Sequence, residues 1–86
     1  MNEYIVSFRR SAQKELEPLP KEIISQVLPK IEELVVEPRP DGCKKLKGHE
    51  NYWRVRVGDY RVMYSVDDDS RNVEIINIRH RSQAYR

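Results

Sequence analysis

Apolar and polar residues alternate on both sides of Gly58-Asp59 in the run Tyr52 to Tyr64, YWRVRVGDYRVMY, and this period of two predicts a β-hairpin. Glycine at the first position of a two-residue loop suits a type II′ turn, whose twist matches that of the flanking strands. With residues 58 and 59 as the turn, Val57 faces Tyr60, Val55 faces Val62 and Trp53 faces Tyr64, giving one apolar and aromatic side for a core. The other side holds Tyr52, Arg54, Arg56, Arg61 and Met63, with Arg56 directly across from Arg61 and Arg54 across from Met63.

Upstream, residues 3 to 8 (EYIVSF) are β-branched and aromatic and predict a first strand. Ser11 is a suitable cap for a short helix that carries Ala12, Leu16 and Leu19 and is closed by Pro18 and Pro20. From Lys21 to about Val36 the apolar residues Ile23, Val27, Ile31 and Leu34 recur at helical spacing, predicting a core-covering helix kinked at Pro29. Residues 37 to 42 form a turn-rich link, and Cys43 to Gly48 (CKKLKG) is a short basic strand or loop. The run Asp67 to Asn72 reads as a solvated turn, because it lacks the glycine and late glutamate of a calcium loop. Val73 to about Arg79 is the last strand, with Ile76, Ile78 and His80 on the core side and Asn77, Arg79 and Arg81 opposite. The expected fold is α+β with order β-α-α-β-β-β, an antiparallel sheet with two helices on one face.

Eighty-six residues, 38% hydrophobic and 35% charged, suffice for a single domain spanning 1–86 with one modest core. The single Cys43 and the absence of a long apolar run fit a cytoplasmic protein that neither enters a membrane nor uses disulfides. A net charge of +2 conceals an uneven distribution. Basic residues dominate from Cys43 to Val66 and again after Glu74, whereas acids gather in the helical half and in the Asp67-Asp68-Asp69 run. Such asymmetry is the mark of a polyanion-binding face.

Like charges directly opposite on a sheet destabilise it, so the arginine side reads either as a solvated strand face or as a site for an anion, and phosphate fits the guanidinium fork. Arg79 adds a fourth guanidinium, and Tyr85 an aromatic that can stack on a base. No acid pair, cysteine–histidine pair, phosphate-binding loop or metal-ligand spacing is present, so no cofactor and no metal are expected. RNA can nevertheless be cut by its own 2′-hydroxyl if a protein orients the chain, stabilises the developing charge and manages two protons.

The chain resembles the RelE/ParE superfamily of toxins from prokaryotic toxin–antitoxin pairs. The resemblance rests on EELVVEP (Glu32 to Pro38), KKLKG (Lys44 to Gly48), the hairpin run, and IRHRSQAYR (Ile78 to Arg86), and looks closest to the RelE-like branch. It implies a metal-independent endoribonuclease that cuts mRNA in the ribosomal A site and is held by a RelB-like antitoxin. By position it implies that Lys45 and Lys47 hold RNA, that Arg61 clamps the scissile phosphate, that Arg79 stands where a general acid is proposed, and that Tyr85 stacks on the substrate base. Arg54 and Arg56 lie on the strand where members place lysines, one of them proposed as general base; Arg56 is grouped with the catalytic residues, and Arg54 and Arg81 with those that bind RNA. Arginine, with a pKa above about 12, is a poor proton acceptor. Either electrostatic stabilisation then carries more of the rate, or the base comes from elsewhere, His80 being one choice. A gyrase poison of the ParE type and a catalytically silent RNA-binding relic are the alternatives.

Overall fold

The computed structural model describes residues 3–48 and 50–84. Strand β1 (Ile5–Phe8) leads into helices α1 (Arg10–Leu16) and α2 (Lys21–Glu33), followed by strands β2 (Lys44–Lys45), β3 (Tyr52–Val57), β4 (Tyr60–Asp67) and β5 (Asn72–His80) and a last turn of helix, α3 (Arg81–Ala84). The five strands form one sheet in the order β1-β5-β4-β3-β2. The α+β class stands, with the short strand β2 and helix α3 added to the expected order and a further difference from an all-antiparallel sheet. β1 lies parallel to β5, Val6 beside Val73, because the chain leaves β1 through the helices and the meander returns alongside it.

Hairpin β3–β4 has the register that alternation predicts: Val57 pairs with Tyr60, Val55 with Val62, Trp53 with Tyr64, Arg56 with Arg61 and Arg54 with Met63. Gly58 takes φ +59 while Asp59 stays at negative φ, the pattern of a type II′ turn. In β5 strict alternation fails. A bulge between Met63 and Tyr64 on the β4–β5 seam pairs Asn77 with Met63 but Ile75 with Tyr64, leaving Ile76 as the extra residue. Val73, Ile75 and Ile78 all thereby join the core cluster, and Ile76, expected there, is buried outside it. Without the bulge, alternation from Ile78 would turn Glu74 inward; with it, Glu74 lies across from Ser65 on the open side.

Ala12 of α1, Val27 and Ile31 of α2, and Leu34 just beyond it cover the inner side of the sheet, against Val55, Val57, Val62, Tyr64 and Val66. α2 runs unbroken through Pro29 and ends at Glu33, short of the predicted limit. Leu34, Val35 and Val36 continue with tighter i→i−3 bonds to Ile31, Glu32 and Glu33. Ser11 does not cap α1, whose N-cap is Arg9; its hydroxyl donates instead to the carbonyl of Ile76 at 3.0 Å.

Beneath the sheet's other end, the buried Tyr64 hydroxyl donates to the Pro38 carbonyl at 2.7 Å and anchors the link from α2 to β2. Burial pushes the Tyr64 phenol well above its ordinary pKa. Arg39, on that link, grips Asp68 with two bonds of 3.2 and 2.7 Å while its guanidinium lies over Trp53, 5.1 Å from the ring centroid. Tyr4 donates to the same carboxylate at 2.6 Å. The aspartate run is a turn: Asp67 accepts the backbone N–H groups of Asp69 and Ser70, and Arg71 closes the turn at φ +57.

Candidate nucleic-acid interface

Register places Arg56, Arg61 and Arg79 side by side on three adjacent strands, with Arg61 in the middle. Neighbouring strands lie about 4.8 Å apart, so the three arginines leave the backbone within a narrow band. The next row holds Arg54, Met63 and Asn77, where the Asn77 amide approaches the Met63 sulfur at 3.9 Å. Both rows lie on the side facing away from the helices.

Arg61 is the hinge of this surface. Only 5% exposed, it is the one buried charged residue among the described residues. It borders two concavities. One, of about 190 Å³, is lined by Leu46, Arg54, Arg61, Met63, Asn77 and Arg79. The other, of about 180 Å³, is lined by Arg56, Gly58, Asp59, Tyr60, Arg61 and Arg81. Both are smaller than a typical small-molecule pocket and have room for a phosphodiester. Like charges across adjacent strands repel, and an anion bound among them offsets that repulsion.

Among the described residues, carboxylates are scarce at this end of the sheet. Glu15 of α1 accepts a 3.0 Å bond from Arg79 Nε, and Asp59 lies 4.0 Å from Arg81 Nε with both side chains about 70% exposed. Among the described residues Arg54 and Arg56 form no ion pair. Farther along the same side the balance changes, where Glu74 and then Tyr52 engage Arg9 and raise its pKa. Tyr52 thus sits on the open side, by the neutralised end.

The basic residues of β2 divide by register. Lys44 pairs with Arg54 and so shares the arginine side, lining a third concavity with Gly42, Arg54 and Arg56. Lys45 pairs with Trp53 and leaves from the opposite side; with Lys47 it lines a separate hollow beside Leu46, Gly48 and Glu50. Lys44 is therefore a member of the surface that the motif alone did not single out. The pairing of a two-residue strand carries no turn signal from which to read it.

His80 pairs with Tyr60 on the core side and meets its ring edge-on, with centroids 5.3 Å apart. Its Nδ1 accepts the Ser82 backbone N–H at 3.2 Å, capping α3. The Arg81 backbone N–H donates to the Asp59 carbonyl at 2.8 Å, so α3 is stapled to the hairpin turn and Arg81 stays near Arg61. Tyr85 and His49 lie outside the described residues. Among the described residues no three His, Cys, Asp or Glu side chains converge in a way that could hold a metal ion, and no helix is long and apolar enough to cross a membrane.

A sheet with helices on one side and a cationic row on the other defines the class: the chain belongs to the RelE/ParE family, and the model for the ParE toxin of the type II toxin–antitoxin system parDE matches residues 6–85. Its sequence is 34% identical over 84 residues to toxin RelE of Mycobacterium tuberculosis, covering 96% of this chain and 87% of that protein. A chain of the archaeal RelE–RelB complex from Pyrococcus horikoshii superposes with a TM-score of 0.82 at 32% identity, covering 93% of this chain and 97% of its own. The isolated Escherichia coli RelE toxin superposes with a TM-score of 0.80 at 28% identity, covering 95% and 90%.

Proposed function

We propose that this protein is the toxin of a type II pair and a metal-independent endoribonuclease, acting in the cytoplasm on mRNA in the ribosomal A site. The observation that carries this reading is the row Arg56, Arg61 and Arg79, with Arg61 buried between the other two. In the reaction the 2′-hydroxyl oxygen attacks the adjacent phosphorus and loses its proton. The bond to the 5′-oxygen breaks, that oxygen gains a proton, and a 2′,3′-cyclic phosphate remains.

Arg61 grips the scissile phosphate, and Arg56 and Arg79 stabilise the charge that grows on its oxygens. Lys44, Arg54 and Arg81 hold the RNA on either side, and Tyr85 stacks on a base. Arginine is a poor proton acceptor, so Arg54 and Arg56 contribute electrostatically and do not take the 2′-hydroxyl proton. His80 is turned towards Tyr60 and caps α3 through Nδ1, which weighs against it as the base. The partner is a RelB-like antitoxin, as in the solved RelE–RelB complex, whose binding silences the arginine row.

The test maps mRNA 5′ ends by primer extension after the purified protein is added to translating ribosomes, with naked mRNA and Arg61→Ala as controls. In-frame cuts that need ribosomes and vanish in the variant are the expected result. The ParE description of the family model favours a second reading, a gyrase poison. Gyrase-dependent DNA breaks without RNA cuts would select it.

A further inference from the structure

β1 pairs with β5 only as far as Ile75, so among the described residues the edge of β5 from Ile76 to Ile78 has no strand beside it. An unpaired edge leaves backbone donors and acceptors to satisfy. α1 does this with two side chains four residues apart, hence on one helical face. Ser11 donates to the Ile76 carbonyl at 3.0 Å, and Glu15 Oε1 accepts the Ile78 N–H at 3.1 Å. Both side chains dock the helix, but only Glu15 goes further: its second oxygen, Oε2, accepts the Nε–H of Arg79 at 3.0 Å.

We infer that Glu15 is a positioning residue for Arg79, holding its guanidinium by Nε so that the Nη groups are the donors left for a phosphate. This deepens the nuclease reading and rests on it. An ordinary exposed ion pair contributes little, because two long side chains must be ordered for one contact. Here the carboxylate is already fixed by the backbone of β5, and its side chain is only 30% exposed against 47% for Arg79. The Arg81–Asp59 pair is the contrast: 4.0 Å long and about 70% exposed on both sides, it has no such anchor. Glu15 offsets part of the charge of Arg79 and in exchange fixes its direction, which matters more where catalysis depends on donors aimed in advance.

Glu15→Gln is the informative change. The amide carbonyl still accepts the Ile78 N–H, while the NH₂ replaces the oxygen that held Nε and cannot accept a bond. The expected result is a fall in kcat of about 10- to 100-fold with KM little altered. Ser11→Ala, which loosens the same helix on the same edge without touching Arg79, is expected to stay within about twofold of wild type. In an Arg79→Ala background Glu15→Gln is expected to add nothing further.

Equal activity in Glu15→Gln and Ser11→Ala overturns the inference and leaves Glu15 as a helix dock. A full additional loss in the Arg79→Ala background overturns it too, since Glu15 then acts by another route. The nuclease reading fails separately, if the wild-type chain cuts no mRNA. The Arg79 Nε–H of the wild-type chain and of Glu15→Gln is then followed by NMR. Slower solvent exchange of that N–H in the wild-type chain upholds the positioning role, and equal exchange in both removes it.

Discussion

Two arginine-bearing regions of this molecule show how the same side chain can do opposite work. Around Arg39, every contact neutralises or covers the guanidinium: Asp68 takes two of its bonds, Tyr4 shares that carboxylate, and Trp53 lies beneath it. Around Arg61, the cross-strand neighbours are Arg56 and Arg79, and the walls of the adjoining hollows add Arg54 and Arg81. The first region spends its charge inside the fold, tying the α2–β2 link to the turn before β5. The second gathers its guanidiniums on the open side of the sheet, across from one another.

The largest effect expected from this contrast is on turnover. Arg61→Ala should lower cleavage by about 10²- to 10³-fold in a primer-extension time course, whereas Arg39→Ala should leave the rate near that of wild type. Similar losses in both variants would remove the distinction between the two regions.

Next comes the anchor of the link. Tyr64→Phe removes the donor to the Pro38 carbonyl and should destabilise the protein by about 1–3 kcal/mol in urea unfolding. Cleavage per folded molecule should be unchanged.

A smaller effect should separate the two lysines of β2. Lys44→Ala should weaken RNA binding and flatten its salt dependence by roughly 0.7 in log–log slope, the value for one phosphate contact with a single strand. Lys45→Ala tests the register directly, because Lys45 leaves from the side of Trp53. If it reduces RNA affinity more than Lys44→Ala does, the RNA path runs through the Lys45–Lys47 hollow instead of the arginine side.

The smallest effect belongs to pH. The hydrogen bonds from Arg39, then Tyr4, hold the Asp68 carboxyl below its ordinary value. A carboxyl whose folded pKa is depressed contributes stability that is full above its unfolded value, about 4, and is lost as pH falls through the folded one. The wild-type Tm should therefore fall more steeply than that of Asp68→Asn as pH drops below about 4. Parallel curves would show that this exposed network carries no pH-dependent stability.

The hairpin was fully legible in the chain, because a period of two interrupted by a glycine-led turn leaves little choice of pairing. The arginine pair at 56 and 61 followed from that register. β5 was legible only in part: the bulge at Tyr64 moved Ile76 out of the core and brought Val73 and Ile75 in, a choice made by the partner strand. Ser11 looked like a cap because its type and place suit one, yet a lone β5 edge competed for its hydroxyl and won.

The sequence by itself determined which residues share a side within one hairpin, since that depends on alternation and a turn a few residues long. It also carried the helical stripe of α2 and the motif likeness to RelE toxins. Only the tertiary structure decided that β1 runs parallel to β5, that Lys44 and not Lys45 joins the arginines, and that Glu15 holds Arg79. Each of these joins residues far apart in the chain or lacking a turn to set their register. Such contacts are selected by what the assembled sheet leaves unpaired, a property that no local stretch possesses.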